Sequence, residues 1–470
     1  MRSVAIIGGG ITGLTTAFRL SQSRVPVVLY EAGDRIGGPI RTINENGYVS
    51  EYGPNTILET SPKITSLIND LGLEQRRLDS NPAMNTNFIV RNGKMMPVPR
   101  SLLRFATSPL FSIRGKLRIG LEPFIRAKPK TEDESLGDFV QRRFGREFLD
   151  FAINPFVTGV YAGIPENLSV RYGFPKLKAL EDTYGSVMLG AILGRRKRKE
   201  RGEIKKTEAK KLSFDDGLQV LPDTLHAKLG QAVELRSKVT RLRQTADGWT
   251  LTFTRNGREE QRHHAAIVLT ATAYNIAQIQ IEADELANLS LLKEIVHPPV
   301  ARIVLGFRRE DVTDPLNGFG FLVPKAENLN ILGSTFSSSI FPNRAPSGHV
   351  LLTTFIGGCR QPELANLPEE KLFDLTLLDL QRILGVRGKP TYRHHWLFPQ
   401  AIPQYNVGHK KFVDLMDTTE THLPRLYFAG SYRDGISAGN CIVSGHDVAD
   451  RVVQFLEVSN RSPSPHAILS

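Results

Sequence analysis

Near the N-terminus, the order of apolar and polar positions predicts a strand, a helix and a second strand. Residues 3–8 (SVAIIG) form an apolar run rich in β-branched side chains, which is typical of a buried strand. Residues 14–20 then carry apolar side chains at helical spacing, and residues 25–30 (VPVVLY) form a second apolar run that leads into Glu31. The pattern therefore predicts a βαβ unit, in which a helix connects two parallel strands.

The first turn of this unit contains the glycine pattern G-x-G-x-x-G, formed by Gly8, Gly10 and Gly13. The first glycine permits a tight turn, the second lets the backbone approach a pyrophosphate, and the third lets the helix pack closely on the strand. The helix start also offers free N–H groups to phosphates. Glu31 follows at the spacing expected of a carboxylate that binds an unphosphorylated ribose. Strand, helix, second strand and glutamate together predict a dinucleotide site.

Beyond this unit the hydrophobic pattern changes several times. In chain order it predicts a hairpin with an Asn92-Gly93 turn over 88–94, a proline-interrupted helical region over about 99–193, strands over 233–235, 239–242, 249–254 and 264–271, alternating strands and helices over about 287–422, a strand over 424–431 and a helix over 442–455. Such alternation predicts a mixed α/β protein with more than one domain.

Composition narrows the classes of function. The chain has 470 residues, of which 40% are hydrophobic and 23% charged, as in ordinary globular proteins. Its net charge of +12 suits an anionic partner: nucleic acid, an anionic membrane surface or a polycarboxylate substrate. The two cysteines, Cys359 and Cys441, lie far apart and fit a reducing compartment rather than a disulfide framework or zinc site. The sequence shows no apolar run of membrane-spanning length and no signal-peptide pattern, so a cytoplasmic location is expected.

Two polar features have simple interpretations. The basic run over 195–211 (RRKRKERGEIKKTEAKK) lacks interleaved aromatic residues, which argues against a nucleic-acid site. A solvated loop is predicted there, and contact with anionic lipid headgroups is left open. The histidine pairs at 263–264 and 394–395 lack the acidic neighbours of a metal site, so no metal is expected.

A second glycine pair flanked by arginines follows Glu31, in residues 32–41 (AGDRIGGPIR). The pattern E-A-x-x-R-x-G-G-x-x-R after this βαβ unit resembles the superfamily of flavin-dependent amine oxidases, phytoene desaturases and protoporphyrinogen oxidases, whose members bind FAD. Residues 47–56 (GYVSEYGPNT) continue the resemblance. Residues 121–124 (LEPF), residues 154–163 (NPFVTGVYAG) and the strand succession over 300–358 resemble the protoporphyrinogen oxidases in particular.

The resemblance implies an α/β fold with a discontinuous, Rossmann-like FAD-binding domain, an α+β substrate domain and a helical insertion. The FAD-binding domain is expected over 1–86, 212–286 and 423–457, and the substrate domain over 87–98 and 287–422. The helical insertion is expected over 99–211, and a disordered tail over 458–470.

The resemblance also implies site residues. FAD is expected to contact Gly8, Gly9, Gly10, Ile11, Thr12, Gly13, Glu31, Ala32, Arg35, Gly38, Pro39, Arg41, Gly53, Pro54, Asn55, Thr56, Val239, Gly430, Ser431, Ile436, Ser437 and Ala438. The substrate is expected to lie against Asn87, Gly159, Leu322, Thr335 and Phe355. No catalytic side chain is assigned, because a bound flavin would carry the chemistry.

Position 87 departs from the family pattern. Many relatives carry an arginine there, which is thought to hold a substrate propionate, whereas Asn87 can only donate or accept hydrogen bonds. Another cation is therefore expected to replace that charge, and Arg91, Arg100 and Arg104 are near in sequence. Residues 435–439 (GISAG) also match the hydrolase motif G-x-S-x-G, but too few residues follow to supply an acid and a histidine.

The implied activity is the six-electron oxidation of protoporphyrinogen IX to protoporphyrin IX in haem biosynthesis, by hydride transfer from CH–CH groups to FAD, with O2 as acceptor. Three alternatives stay open: oxidation of coproporphyrinogen III to coproporphyrin III; another FAD amine oxidase or desaturase, for which Trp396 and Tyr432 are candidate cage aromatics; and a flavin-free basic protein that binds nucleic acid or lipid. Peripheral contact with the inner face of the cell membrane, handover of product to a ferrochelatase and a homodimer are further expectations from the resemblance, and a nucleic-acid partner is not expected.

Overall fold

The computed structural model describes residues 3–129, 132–194, 209–283 and 288–461. The strands are β1 (Val4–Ile7), β2 (Val27–Tyr30), β3 (Thr42–Glu45), β4 (Tyr48–Glu51), β5 (Ile57–Leu58), β6 (Arg77–Asp79), β7 (Asn87–Arg91), β8 (Lys94–Pro97), β9 (Lys211–Phe214), β10 (Val233–Glu234), β11 (Ser237–Thr245), β12 (Gly248–Arg255), β13 (Arg258–His264), β14 (Ala266–Leu269), β15 (Gln280–Glu282), β16 (Val300–Arg308), β17 (Gly320–Leu322), β18 (Ile331–Phe336), β19 (His349–Gly357), β20 (Tyr392–Phe398) and β21 (Leu426–Phe428).

The α-helices are α1 (Ile11–Gln22), α2 (Pro62–Asp70), α3 (Leu102–Thr107), α4 (Ile113–Gly120), α5 (Leu136–Phe144), α6 (Arg146–Phe148), α7 (Asn154–Tyr161), α8 (Val170–Gly173), α9 (Pro175–Tyr184), α10 (Val187–Leu193), α11 (Val220–Leu229), α12 (Ala273–Ile276), α13 (Ser337–Ile340), α14 (Pro362–Ala365), α15 (Glu369–Leu384), α16 (Lys410–His422) and α17 (Ala438–Arg461). A π-helical turn, Leu149–Ile153, separates α6 from α7. Among the described residues, no helix is both long enough and apolar enough to cross a membrane.

A parallel sheet forms the first layer of the structure, with strand order β10-β2-β1-β14-β21. β1 pairs in parallel with β2 on one side and with β14 on the other, and β14 pairs with β21. These strands are buried apolar runs, as expected of a parallel sheet covered on both faces. Distant parts of the chain therefore assemble one sheet, and the predicted dinucleotide-binding unit, with β1 and β2, lies within it.

Two hydrophobic clusters cover the faces of this sheet. One contains α1 and α17 side chains such as Leu14 and Val452. The other contains Trp249 and Phe253 of β12, together with Phe412 and Met416 of α16. The resemblance places α16 in the range of the substrate domain, whereas its buried face packs on the parallel sheet. The sequence did not indicate this packing, because an amphipathic pattern does not specify the partner of its apolar face.

A seven-stranded sheet forms the second layer, in the order β20-β16-β19-β18-β17-β7-β8. The predicted hairpin is present as β7 and β8, and its turn residues Asn92 and Gly93 have φ values of 53° and 70°, as a tight hairpin turn requires. β7 joins this sheet by parallel pairing with β17. One face of the sheet packs on α15 through a cluster that includes Phe321, Phe336 and Leu380. Its opposite face is left to form the candidate site.

The helical insertion, α3 to α10, has its own core and a buried ionic network. Arg143 is fully buried and donates to Glu122 (2.6 Å) and Glu181 (2.7 Å). Glu122 also accepts from the Val187 N–H at the start of α10. A buried charge is tolerated only when it is paired in this way, so the network holds the α5, α9 and α10 helices together.

Three details differ from the sequence-based expectations. Residues 195–208 of the basic run lie outside the described residues, and Lys211 is the first residue of β9, which pairs with β5 and β6 rather than belonging to the insertion. The last helix begins at Ala438, four residues before the predicted start, because Ser437 accepts the Asn440 N–H. That helix continues to Arg461 and so includes the start of the expected tail; residues 462–470 lie outside the described residues.

Candidate active site

The glycine turn lies at the carboxyl end of β1. Gly8 has φ +116°, a conformation that favours glycine. A Cβ at Gly13 would lie 2.0 Å from the carbonyl oxygen of Gly8, so only glycine allows α1 to pack this closely. A Cβ at Gly10 would meet no described atom within 4 Å, so the backbone there faces open space. In the described residues, no side chain caps α1 and no acid occupies its first turn, which fits a phosphate-binding helix start.

Glu31 lies directly beside this turn. Its carboxylate accepts from the Gly9 N–H (2.7 Å) and from the Gly33 N–H (2.7 Å) on the far side of Ala32. These bonds fix the carboxylate at the end of β2, which is where a ribose hydroxyl would need it. Val239 lies on β11, two residues after Ser237, whose N–H donates to the Glu31 carbonyl. The glycine turn, Glu31 and Val239 thus lie near one edge of the sheet.

The second glycine pair packs against the first. The Gly37 N–H donates to the carbonyl of Gly9 (2.8 Å), and a Cβ at Gly38 would lie 3.4 Å from Cα of Gly10. Arg35 holds this loop, because its guanidinium donates to the carbonyls of Ile36 and Gly38. Both glycine segments therefore border the same open space.

The last described part of the chain returns to this edge. Gly430 follows β21, and a Cβ there would lie 3.8 Å from Oγ1 of Thr12 on α1. The hydroxyl of Tyr405 donates to the Ser431 carbonyl and accepts from the Gly435 N–H (2.8 Å). Ile436 packs on the helical insertion, and Ser437 and Ala438 begin α17. The predicted residues at both ends of the chain thus converge on one edge of the parallel sheet.

Arg302 connects the Gly53–Asn55 loop to the second sheet. Its guanidinium donates to the Gly53 carbonyl (2.6 Å) and to Oδ1 of Asn55 (2.7 Å), and the residue is only 1% exposed. Burial lowers the pKa of Arg302 to about 9, and the nearby Glu51 charge opposes that shift. On the other side of the loop, a Cβ at Gly53 would lie 2.2 Å from the Pro39 carbonyl oxygen. The loop is therefore fixed between the glycine segments and the sheet.

Four predicted substrate residues share one face of the second sheet. Residues opposite each other on paired strands point to the same face, as do alternate residues along one strand. The register pairs Arg302 with Phe355, Phe355 with Gly333, Gly333 with Leu322, Thr335 with Gly320, and Gly320 with Asn87. Asn87, Leu322, Thr335 and Phe355 thus lie on the face that also carries Arg302, opposite the α15 core. A Cβ at Gly159 would lie 2.3 Å from Cδ2 of Leu322, so α7 packs against this face.

A narrow cleft joins the loop to the sheet face. Asn55, Thr56 and Thr335 line it, together with Glu51 and Arg344. Burial raises the pKa of the Glu51 carboxyl, while a hydrogen bond from the Leu218 N–H and the charge of Arg344 oppose the rise. The predicted flavin-side loop and one predicted substrate residue, Thr335, therefore share this cleft.

The cations near Asn87 have different surroundings. Arg91 is ion-paired with Glu147 (2.8 Å), and Arg104 is exposed on α3. Arg100 donates to the carbonyl of Asn85, and Lys211, which was not among the predicted cations, donates to Oδ1 of the same asparagine (2.9 Å).

The described residues do not form either of two other sites that the sequence raised, a hydrolase site at Ser437 and a metal site at the histidine pairs. The Ser437 hydroxyl accepts the Asn440 N–H, as a helix-capping residue does, and donates to Oδ1 of the same asparagine. His264 is buried between Ser3 and Tyr30, and burial lowers its pKa to about 4. In the part of the chain that the structure describes, no group of histidine, cysteine or acidic residues is suited to hold a metal ion.

The two candidate cage aromatics lie in different clusters. Trp396 packs on Tyr52, with 4.1 Å between the ring centroids. Tyr432 is buried in the nucleotide-binding core and donates to the Leu269 carbonyl (2.8 Å). They do not face each other across a common pocket. Arg41 lies over the Tyr52 ring (5.3 Å), so this aromatic pair borders the second glycine segment instead.

The motifs missed two cations near the predicted site residues: Arg302, which contacts Gly53 and Asn55, and Lys211, which contacts Asn85. Arg302 had a sequence signal, since it interrupts the apolar strand VARIVLGF over 300–307, and a cation inside a buried strand needs a specific partner. Lys211 had no such sequence signal, because it ends a run of basic residues that the sequence predicts to be a solvated loop.

Comparisons with known proteins bear on the family and the fold. Residues 11–453 match the model of the family described as flavin containing amine oxidoreductase. Protoporphyrinogen oxidase 2 of Arabidopsis thaliana is 34% identical, over 99% of this chain and 96% of its own length. Coproporphyrinogen III oxidase of Bacillus subtilis is 29% identical, over 97% of this chain and 98% of its own length. A crystal structure from Exiguobacterium sp. 255-15, of a protein provisionally described as a protoporphyrinogen oxidase, superposes with a TM-score of 0.79 at 23% identity, covering 97% of this chain and 99% of the other.

Proposed function

Because the chain belongs to the flavin-containing amine oxidoreductase family, we propose that it is an FAD-dependent oxidase that converts protoporphyrinogen IX to protoporphyrin IX in haem biosynthesis. One observation carries this proposal. Arg302, on one face of the seven-stranded sheet, holds the Gly53–Asn55 loop that lies beside the glycine segments. Relatives named for porphyrinogen oxidation match nearly the whole chain, which supports the substrate class. Membership of a family described as flavin-containing argues against the alternative of a flavin-free binding protein.

The residues around the two glycine segments fit FAD. The uncapped start of α1 and the open side of Gly10 would take the pyrophosphate, and the Glu31 carboxylate would take a ribose hydroxyl. Gly53 and Asn55, held by Arg302, would border the isoalloxazine ring. When bound, FAD accepts a hydride from the substrate and passes the electrons to O2.

The chain itself positions the substrate. Leu322 and Phe355 offer apolar contact to a flat macrocycle on the sheet face, and Thr335 and Asn87 offer hydrogen bonds at its rim. α7 lies against Leu322 and covers that end of the face. The residues thus hold a large flat substrate beside the loop, and the protein acts mainly by orientation.

The test is aerobic turnover with two substrates. Purified protein is incubated with protoporphyrinogen IX or coproporphyrinogen III, while porphyrin fluorescence and peroxide are followed against autoxidation without protein. We expect faster oxidation of protoporphyrinogen, with peroxide formed in step. Faster oxidation of coproporphyrinogen alone would replace the substrate by the one named for the Bacillus subtilis relative. No acceleration with either would leave another amine oxidase or desaturase activity of the same family as the better hypothesis.

We also infer that the helical insertion contacts an anionic membrane surface. Large apolar side chains on α3, α4 and the turn after α4 are strongly exposed, with Leu102 at 83%, Ile113 at 77% and Phe124 at 84%. Exposed arginines, including Arg104 and Arg114, accompany them. Among described residues 99–129 the only acid is Glu122, which is fully buried. An apolar patch with a cationic rim is suited to a bilayer that contains anionic lipids.

Vesicle sedimentation tests this surface. The wild type should bind vesicles containing phosphatidylserine more strongly than neutral vesicles, and the double variant L102D/F124D should lose that binding. Leu378→Asp is the matched control, since Leu378 is 41% exposed on α15, away from this patch. Equal sedimentation of all three proteins would contradict the inference. Handover to a ferrochelatase and a homodimer stay predictions from the resemblance.

A further inference from the structure

Lys211 lies between the two predicted halves of the active site. It is the first residue of β9 and pairs with Leu58 of β5, in the strand that follows the Gly53–Thr56 loop. The Leu58 carbonyl oxygen would lie 2.7 Å from a Cβ placed on Gly439, in the first turn of α17. Lys211 is therefore close to the edge at which the FAD-binding segments converge.

The ammonium group of Lys211 reaches the end of the substrate sheet. Nζ donates to Oδ1 of Asn85 (2.9 Å) and lies 4.7 Å from the ring centroid of Phe319. The Phe319 N–H in turn donates to the Thr86 carbonyl (2.7 Å), so both contacts lie where β7 and β17 begin. Asn85 precedes Asn87 by two residues, which is about 7 Å of extended chain.

Lys211 and Arg100 meet at Asn85. Arg100 donates to the carbonyl of Asn85, the same residue that Lys211 contacts. Burial lowers the pKa of Lys211, and the charge of Arg100 lowers it further. Among the described residues, no carboxylate forms an ion pair with Lys211; its neighbour Lys210 pairs with Asp79 instead. Two adjacent cations, one of them half-buried, are stabilised by an anion placed between them.

We propose that Lys211, assisted by Arg100, binds a carboxylate group of the substrate at the Asn87 end of the sheet face. Porphyrinogens carry carboxylates on flexible side chains at the rim of the macrocycle, and an ammonium with one neutral partner retains further donors for such a group. Arg91 does not serve here, because Glu147 already neutralises it. The inference rests on the proposed function and adds a specificity-determining residue to it.

The test crosses a protein change with a substrate change. Wild type and Lys211→Met are assayed with protoporphyrinogen IX and with its dimethyl ester, which has the same macrocycle without free carboxylates. We expect the substitution to raise KM for the diacid about tenfold, as loss of a charge-assisted hydrogen bond does, while leaving kcat and the ester kinetics nearly unchanged. Lys211→Arg should restore most of the diacid KM. Lys210→Met is the matched control, since its side chain is 67% exposed and pairs with Asp79.

The outcomes distinguish failure of the proposed function from failure of the role proposed for Lys211. If wild type oxidises neither compound faster than autoxidation, the proposed function fails. If wild type is active and Lys211→Met changes diacid and ester kinetics equally, the role of Lys211 is wrong and the proposed function stands. Bound-flavin absorbance per chain reports folding of each variant. Should Lys211→Met not fold, Arg100→Met, at an exposed position, carries the same comparison, and an unchanged diacid KM there would overturn the inference.

Discussion

Substituting alanine at two glycines of the first turn should separate cofactor binding from folding. At Gly10 the backbone is extended (φ −71°, ψ 175°) and a new Cβ meets no described atom within 4 Å, so Gly10→Ala leaves the fold intact. The methyl group instead enters the open space where a pyrophosphate would approach. Overpacking of this kind costs about 1–3 kcal/mol, which corresponds to roughly a 5- to 150-fold rise in the Kd for FAD.

At Gly13 the same methyl group should damage the fold itself. Its Cβ would lie 2.0 Å from the Gly8 carbonyl oxygen and 2.6 Å from Oγ1 of Thr270, so α1 must move away from the sheet. We expect the free energy of unfolding to fall by at least about 2 kcal/mol, because backbone atoms cannot yield as a flexible side chain does.

Flavin-fluorescence titration and urea unfolding of flavin-stripped protein distinguish these effects. Gly10→Ala should weaken FAD binding at unchanged unfolding free energy, whereas Gly13→Ala should lower the unfolding free energy without any ligand. Wild-type affinity for FAD in Gly10→Ala, or equal destabilisation by both substitutions, would refute the assignment of this turn as a phosphate cradle.

Three further predictions concern single residues. Glu31→Gln removes the charge and one of the two acceptors for the N–H groups of Gly9 and Gly33, so the Kd for FAD should rise about tenfold in the same titration; an unchanged Kd contradicts the ribose role. Arg302→Lys cannot reach both Gly53 and Asn55, so one half-buried acceptor is left unpaired at a cost of about 1 kcal/mol, and we expect a lower Tm and slower turnover with flavin retained; a wild-type Tm argues against this. In the folded protein the pKa of His264 is about 4, below the ordinary value of 6.5. Between pH 6.5 and pH 4 this histidine therefore takes up a proton mainly in the unfolded chain. The free energy of unfolding should therefore fall by about 3 kcal/mol from this group as pH drops from 6.5 to 4, and His264→Gln should show a correspondingly smaller fall in urea titrations.

Local patterns predicted the elements whose cause is local. The βαβ unit follows from apolar periodicity and glycine spacing, and the β7–β8 hairpin follows from its Asn92-Gly93 turn. The start of α17 was missed because Gly439 weakens helix propensity in its first turn, and because Ser437 is followed at the capping distance by Asn440 rather than by Glu or Gln.

The contacts that assemble the site are not local, and the residues alone did not reveal them. The partners of Arg302, Gly53 and Asn55, lie in another segment of the chain, so the sequence shows only an unexplained charge in an apolar strand. Lys211 looks like the end of a solvated basic run until β9 pairs with β5. Which substrate residues share a face depended on strand register, and a one-residue slip would have turned them away from the site.

The strand order of the parallel sheet also determines when this protein becomes safe from aggregation during its synthesis. β14 pairs with β1 along one edge, but its other edge stays unpaired until β21 has been synthesised. β21 leaves the ribosome among the last described segments. At about 5–20 residues per second, roughly 8 to 30 seconds pass between the two strands, and for that time β14 presents an edge of unpaired backbone N–H and C=O groups to other nascent chains. A cell short of flavin would extend that vulnerable period, because the ligand that we propose to bind both the early and the late segments would be missing when they first meet. Flavin supply would then govern how much of this protein accumulates, and not only how fast each molecule works.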